Sequence, residues 1–320
     1  MPHAAFSLPA DDGLPLQCQA WQTEQPPSAV IVAVHGMAEH IGRYAELGRA
    51  LNNAGIALYG YDQRGHGLTA QAGTLGLFAL EDGWDKAVND VQTMARHVAA
   101  QHPHTPLFLL GHSMGSYIAQ AHLIRGGFAW AGAVLSGSNF QPAALYKVAG
   151  VVAWFETWRQ GPQGRSALID WLSFGSFNKA FKPNRTAFDW LSRDPAAVDR
   201  YVNDTLCGFR CTNRFWQDLL CGLQQISNRA NLARIAPALP ILIIGGECDP
   251  VSAGKRLKSL RDALAHAGST DTELHVYAGA RHELFNETNR AQVTSDLLAW
   301  LQRRMSQPGP RDTVISPQRN

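Results

Sequence analysis

The chain reads as an α/β protein: a parallel sheet covered by helices on both faces, interrupted once by a helical insertion. Three observations carry this reading. Short apolar, β-branched runs alternate with longer amphipathic ones along most of the 320 residues. The apolar runs are nearly unbroken, as strands buried on both faces require. The alternation lapses between about Ser138 and Arg229, where no clear strand pattern occurs.

In chain order, Ala29–Val34 (AVIVAV) is the first run of buried-strand type. Tyr44–Ala54 follows as a helix that Gly55 stops, and Ile56–Tyr61 is the next strand. Glu81–Gln101 places Ala87, Val88, Val91, Met94, Ala95 and Val98 at helical spacing. Pro106–Leu110 is a strand, Ser113–Arg125 a helix and Ala131–Leu135 a strand. After the lapse come strand Ile241–Gly245, helix Ser252–Ala267, strand Thr272–Tyr277 and helix Thr288–Arg303. Within the lapse the sequence predicts helices over Trp154–Arg159, Ala167–Phe177, Thr186–Ser192, Pro195–Leu206 and Asn213–Ser227. The organisation is therefore a core in two parts, residues 1–137 and 231–305, around a helical insertion, 138–230. Residues 306–320, polar and rich in proline, form an expected disordered tail.

Composition narrows the function. A net charge of +2 is too small to argue for a nucleic-acid partner. Five cysteines in a chain of this length do not make a disulfide framework, which favours a reducing, cytoplasmic setting. The N-terminus, MPHAAFSLPADDG, lacks the basic start and apolar run of a signal peptide. The longest apolar stretches, Ala29–Val34 and Leu239–Ile244, are far too short to span a bilayer.

The chemistry centres on Gly111-His112-Ser113-Met114-Gly115, a G-x-S-x-G pattern directly after a strand and opening a helix. Such a turn lifts the serine hydroxyl above the sheet, and its crowding requires the flanking glycines. A serine needs a base, and in this architecture the acid and the histidine follow it in sequence. Asp249 lies in the loop GGECDP after Ile241–Gly245, held in a turn by Pro250; Glu247, nearer the strand, competes with it. Three histidines lie downstream. His266 falls inside a helix and His275 mid-strand, whereas His282 sits in the loop GARHELF after the last strand. Loops at that edge of a parallel sheet are where catalytic groups gather. The expected triad is Ser113, Asp249 and His282.

Acyl transfer also needs two N–H donors for the developing oxyanion. One is the backbone N–H of Met114. The other is expected from Met37, in the stretch HGMAEH (35–40) directly after Ala29–Val34. This stretch holds two histidines, but five apart, with Gly36 after the first. The helical zinc motif sets them four apart with Glu after the first, so His35 and His40 do not form that metal pair. No motif calls for a metal or an organic cofactor.

With these residues placed, the chain resembles the monoglyceride lipase and bacterial lysophospholipase-type α/β-hydrolases. The resemblance rests on HGMAEHIGRYAEL (35–47), YDQRGHG (61–67), GHSMGS (111–116), GGECDPVS (245–252) and GARHELFNE (279–287). It implies the α/β-hydrolase fold, with a helical cap in place of the insertion. It also implies a serine hydrolase of carboxylic esters that releases a fatty acid through an acyl-enzyme. Asp62, Arg64 and His66 match the family's D-x-R-G-H-G turn, read as structural. The chain departs from the pattern at Met37 and Ala38, where smaller residues are common, and at Ser116, where glycine is usual. Acyltransferase, peptidase-like and short-chain esterase activities share this machinery, and a non-catalytic binding protein would lack part of it.

About half of the chain's aromatic residues lie in the insertion, with eleven Lys and Arg against seven Asp and Glu between Ser138 and Arg229. Most of these aromatics are expected to form the insertion's own core. The remainder fit an acyl-chain pocket, or a weak peripheral contact with an anionic membrane. Cys207, Cys211 and Cys221, with no histidine near them in sequence, read as small buried apolar groups.

Overall fold

A computed structural model describes residues 3–252 and 255–305; the expected tail, 306–320, lies outside these residues. Eight strands form one sheet in the order β1-β2-β4-β3-β5-β6-β7-β8. They are β1 (His3–Pro9), β2 (Pro15–Trp21), β3 (Ala29–Val34), β4 (Ile56–Tyr61), β5 (Leu107–His112), β6 (Gly132–Ser136), β7 (Ile241–Gly246) and β8 (Thr272–Tyr277). From β4 to β8 every pairing is parallel, whereas β1 and β2 join the edge antiparallel. That N-terminal hairpin departs from the sequence expectation, which placed no strand before Ala29. No residue of β1 is fully buried: its faces alternate between exposed and half-buried, which leaves no apolar run to read.

Alternation explains why both faces are covered. Val30, Val32, Leu107 and Leu109 point into one core with α2 (Gly83–Gln101) and α3 (Met114–Arg125). Their neighbours Ile31, Ala33, Phe108 and Leu110 point into the other, with α1 (Ala45–Asn53) and α10 (Arg290–Met305). All six residues of β3, β4, β5 and β7 are buried, which is why these strands read as continuous apolar runs. Strand order reverses between β3 and β5, so the loops that follow these two strands flank the crevice where α/β sheets bind ligands.

Between β6 and β7 the chain is helical: α4 (Ala143–Gln160), α5 (Ala167–Phe174), α6 (Pro195–Val202), α7 (Asn213–Ile226) and the short α8 (Arg229–Leu232). Helix α9 (Lys255–His266) then separates β7 from β8. Helix α4 begins eleven residues before the expected Trp154, because it is apolar on two faces and shows no amphipathic period. Tyr146 and Ala153 are buried on one face. Leu145, Val148, Val151, Phe155 and Trp158 are exposed on the other, Trp158 to 73%. Thr186–Ser192, expected as a helix, holds only a 3-10 turn over Asp189–Leu191. The insertion's aromatics divide: Trp190, Tyr201, Phe215 and Trp216 are buried, whereas Trp154, Phe155, Trp158 and Trp171 face outward. No helix among the described residues is long and apolar enough to cross a membrane.

Candidate active site

Ser113 sits between β5 and α3 with φ 50° and ψ −121°, a backbone region that a residue with a side chain occupies only under strain. The crowding that enforces this turn is visible at Gly115. A Cβ there would lie 2.1 Å from the Val34 carbonyl oxygen, so only glycine lets α3 start this close to β3. The Ser113 N–H donates to the Ser136 carbonyl at 2.8 Å, which ties the turn to β6. Ser116 is fully buried, and its hydroxyl donates back to the Ser113 carbonyl at 2.6 Å. The departure at this position therefore braces the turn rather than lining the pocket.

Asp249 follows β7 and His282 follows β8, and the structure brings them together. His282 Nδ1 donates to Asp249 Oδ2 at 3.0 Å, with both residues buried. Asp249 also accepts from the Ser252 hydroxyl at 2.7 Å and from the Val251 N–H at 2.8 Å. Burial alone would push the Asp249 carboxyl up, but the His282 charge and these donors outweigh it and hold it below the usual carboxylate range. Burial alone would pull His282 down, and the Asp249 carboxylate outweighs that, raising the imidazole above its ordinary value. The alternatives fall elsewhere. Glu247 is exposed and accepts from the Gly279 N–H at 2.9 Å; His266 bonds its own helix at Asp262, and His275 faces Glu273.

The His282 ring packs between His112, at 4.8 Å, and Trp190, at 5.2 Å between centroids. Burial, then the His282 charge, lowers His112 to about 4, so this neighbour is neutral. A Cβ on Gly137 would press on the His282 ring at 2.9 Å, so glycine at this position is what lets the imidazole sit beside the end of β6.

The loop after β3 approaches the same turn. A Cβ on Gly36 would lie 3.3 Å from the Ser113 Cβ. His35 is buried and held neutral by that burial; its Nδ1–H donates to the Gly36 carbonyl, and its Nε2 accepts from the Gln63 N–H. Glu39 accepts from the Gly36 N–H at 2.6 Å, so both residues shape the loop. Met37 is partly buried against the core and Met114 is buried; Ala38, between Met37 and Glu39, has φ 53°. In the turn after β4, Asp62 accepts from the Ile41 and Leu68 N–H groups, while Arg64 forks onto Asp90 and Asp12. These contacts are structural, as the sequence indicated.

A family model described as Hydrolase_4, serine aminopeptidase, S33, matches residues 25–289. A monoacylglycerol lipase of Mycolicibacterium smegmatis is 30% identical, with 90% of this chain and 93% of that protein aligned. The Homo sapiens monoglyceride lipase is 28% identical over 93% of this chain and 90% of its own. A solved structure described as a lipase in its open form superposes with a TM-score of 0.84 at 27% identity, covering 96% of this chain and all of the other. The chain belongs to the monoglyceride lipase-like α/β-hydrolases.

In this hydrolase the insertion is bonded directly to the loops around the crevice. Glu283 N–H donates to the Leu191 carbonyl at 2.8 Å, and the Arg281 guanidinium donates to the carbonyls of Asp189 and Ser192. Tyr201 OH, at 3.0 Å, and Gly208 N–H, at 2.9 Å, both donate to the Ala38 carbonyl. Beneath them, Arg43 donates to Glu39 at 2.8 Å and to both oxygens of Glu283 at 2.5 and 2.7 Å. One largely shielded guanidinium thus joins the loop after β3 to the residue beside His282. Sequence reasoning quoted both motifs but did not link Arg43 with Glu283, since nothing local signals a pair 240 positions apart.

The cysteine reading needs correction. Cys211 is buried, but Cys207 is only partly so and Cys221 is exposed. A histidine does stand near Cys207: His40, brought across from the loop after β3. All five cysteines are unpaired.

Proposed function

We propose that this hydrolase cleaves carboxylic esters with one long acyl chain, as a monoacylglycerol lipase, through an acyl-enzyme on Ser113. The observation that carries the reading is the buried His282–Asp249 bond beside the strained Ser113 turn. The names of the relatives supply the substrate class.

Ser113 Oγ attacks the ester carbonyl carbon while His282 Nε2 takes its proton. Asp249 holds Nδ1–H and stabilises the imidazolium that forms. The N–H groups of Met37 and Met114 carry the oxyanion. Collapse of the tetrahedral adduct breaks the ester C–O bond, and His282 returns the proton to the leaving alcohol. Water then enters, gives a proton to His282 and attacks the acyl carbon. The fatty acid leaves as Ser113 recovers its proton.

The outward face of α4 and α5 supports delivery from an anionic membrane surface. Trp154 and Trp171, each 62% exposed, stand with Leu145, Val148 and Trp158 among exposed Lys147, Arg159 and Arg165. The unpaired cysteines favour a reducing compartment such as the cytoplasm.

The test is fatty-acid release from monooleoylglycerol and oleoyl-lysophosphatidylcholine, p-nitrophenol release from a short p-nitrophenyl ester and p-nitroaniline release from an aminoacyl p-nitroanilide, with Ser113→Ala as the blank. Preference for monooleoylglycerol supports the proposal. Preference for the lysophospholipid changes the leaving group. Activity on the short ester or the anilide alone removes the lipase assignment.

A further inference from the structure

We propose that His40, Asp204 and Cys207 form a binding site for a zinc-class divalent cation where the insertion meets the loop after β3. One imidazole nitrogen, one carboxylate oxygen and one thiol sulfur lie within 4.8 Å of one another. His40 Nε2 already meets Asp204 Oδ2 at 2.8 Å, and all three side chains are partly accessible, so an ion has a path in.

The donor set selects the ion. Thiolate and imidazole favour zinc over magnesium or calcium, which take oxygen ligands. In a tetrahedral zinc site with bonds of about 2.0–2.3 Å, neighbouring donors stand roughly 3.3–3.8 Å apart. The trio therefore needs only side-chain rotation: His40 and Asp204 part slightly, and the sulfur swings in. Binding displaces the thiol proton to the buffer, shifts the imidazole proton of His40 from Nε2 to Nδ1 so that Nε2 can ligate, and replaces the His40–Asp204 hydrogen bond with two metal bonds. Three protein ligands leave the fourth position to water. One thiolate and one carboxylate cancel the ion's charge. Arg43, close by, is already matched by Glu39 and Glu283 and does not leave the pocket cationic.

The donors come from two segments. His40 ends the loop that carries Met37, whereas Asp204 and Cys207 lie in the turn whose Gly208 N–H holds the Ala38 carbonyl. An ion here cross-links the insertion to that loop without touching Ser113, Asp249 or His282.

Cobalt tests the site. Full-length protein, stripped with EDTA and desalted, is titrated with Co2+ and read for the thiolate-to-cobalt band in the near ultraviolet and the tetrahedral bands in the visible. The expected result is saturation at one equivalent and displacement by Zn2+. Cys207→Ser removes the near-ultraviolet band, His40→Gln weakens binding by about tenfold or more, and Cys221→Ser and Cys248→Ser change neither. If Cys207→Ser does not fold, His40→Gln and Asp204→Asn carry the comparison. No thiolate band at one equivalent, or wild-type affinity in His40→Gln and Asp204→Asn, overturns the site. Ser113→Ala must bind cobalt as wild type does, so failure of the proposed hydrolysis would leave this result standing.

Discussion

The hydroxyl of Tyr201, in the insertion, donates to the carbonyl of Ala38, in the loop after β3, at 3.0 Å. Ala38 has φ 53°, a conformation that costs a residue with a side chain of order 1 kcal/mol or more. It persists because the carbonyl is held from outside. The Ala38–Glu39 peptide unit, one residue past Met37, is therefore held partly by the insertion.

Tyr201→Phe removes this donor and leaves the Gly208 N–H. A neutral hydrogen bond contributes about 0.5–1.5 kcal/mol. The expected outcome is a kcat lower by roughly three- to tenfold, with KM for a short soluble ester nearly unchanged. Steady-state kinetics against wild type decide it. A change in KM alone would mean that the contact serves substrate binding and not the loop.

Ser113→Ala is expected to lower kcat/KM by at least about 10⁴-fold, and Asp249→Asn by a similar factor. Glu247→Gln, at an exposed carboxylate, leaves activity within about twofold of wild type, since the amide oxygen can still accept from the Gly279 N–H. Labelling by a fluorophosphonate probe gives an independent reading. Wild type and Glu247→Gln react, and Ser113→Ala does not.

On the proposed mechanism activity depends on pH through His282, which must be neutral to take a proton. Its folded pKa is raised above 6.5 by the Asp249 carboxylate against the pull of burial. The acid limb of kcat/KM is therefore centred above 6.5, and the residual activity of Asp249→Asn shifts that limb downward. For stability the signs are opposite in the two partners. The His282 contribution is full below its unfolded pKa and fades as pH rises through the raised folded value. The Asp249 contribution is present above its unfolded pKa and fades as pH falls through the depressed one. Thermal melts should therefore be highest between the two.

Arg43→Met leaves Glu39 and Glu283 buried without a counter-charge. Burial would push the Glu39 carboxyl up, and the Arg43 guanidinium now outweighs it. Breaking such a pair from one side costs about 3–5 kcal/mol, so Tm falls by roughly 5–10 °C. Arg43→Lys recovers part of this, because lysine keeps the charge but not the two-pronged grip on Glu283. Calorimetry of the two variants checks the order.

Trp154→Ser with Trp158→Ser is expected to reduce cosedimentation with anionic vesicles while sparing hydrolysis of a short soluble ester. Equal loss on both readouts would place these side chains in the fold or the pocket instead.

Much of this was legible in the sequence because the informative signals are local. The turn at Ser113 is announced by five consecutive residues, and the unbroken apolar runs of β3 and β5 reflect burial on both faces. Asp249 and His282 were legible because each follows a strand. What was hidden is either non-local or weakly patterned. Arg43 meets Glu283 across 240 positions and His40 meets Asp204 across 164, with no sequence signal for either. Strand β1 alternates over only seven residues with no fully buried face, and α4 is apolar on two sides, so neither gives a strong signal of its type.

The contacts of Asp189, Leu191 and Ser192 with Arg281 and Glu283 bear on engineering. A chimaera that exchanges the whole segment between β6 and β7 would bring in a foreign insertion and also lose the contacts that anchor the loop carrying His282. Splice points that retain Asp189–Ser192 keep that anchorage native, so the rest of the insertion can be exchanged while the His282–Asp249 geometry stays with the host.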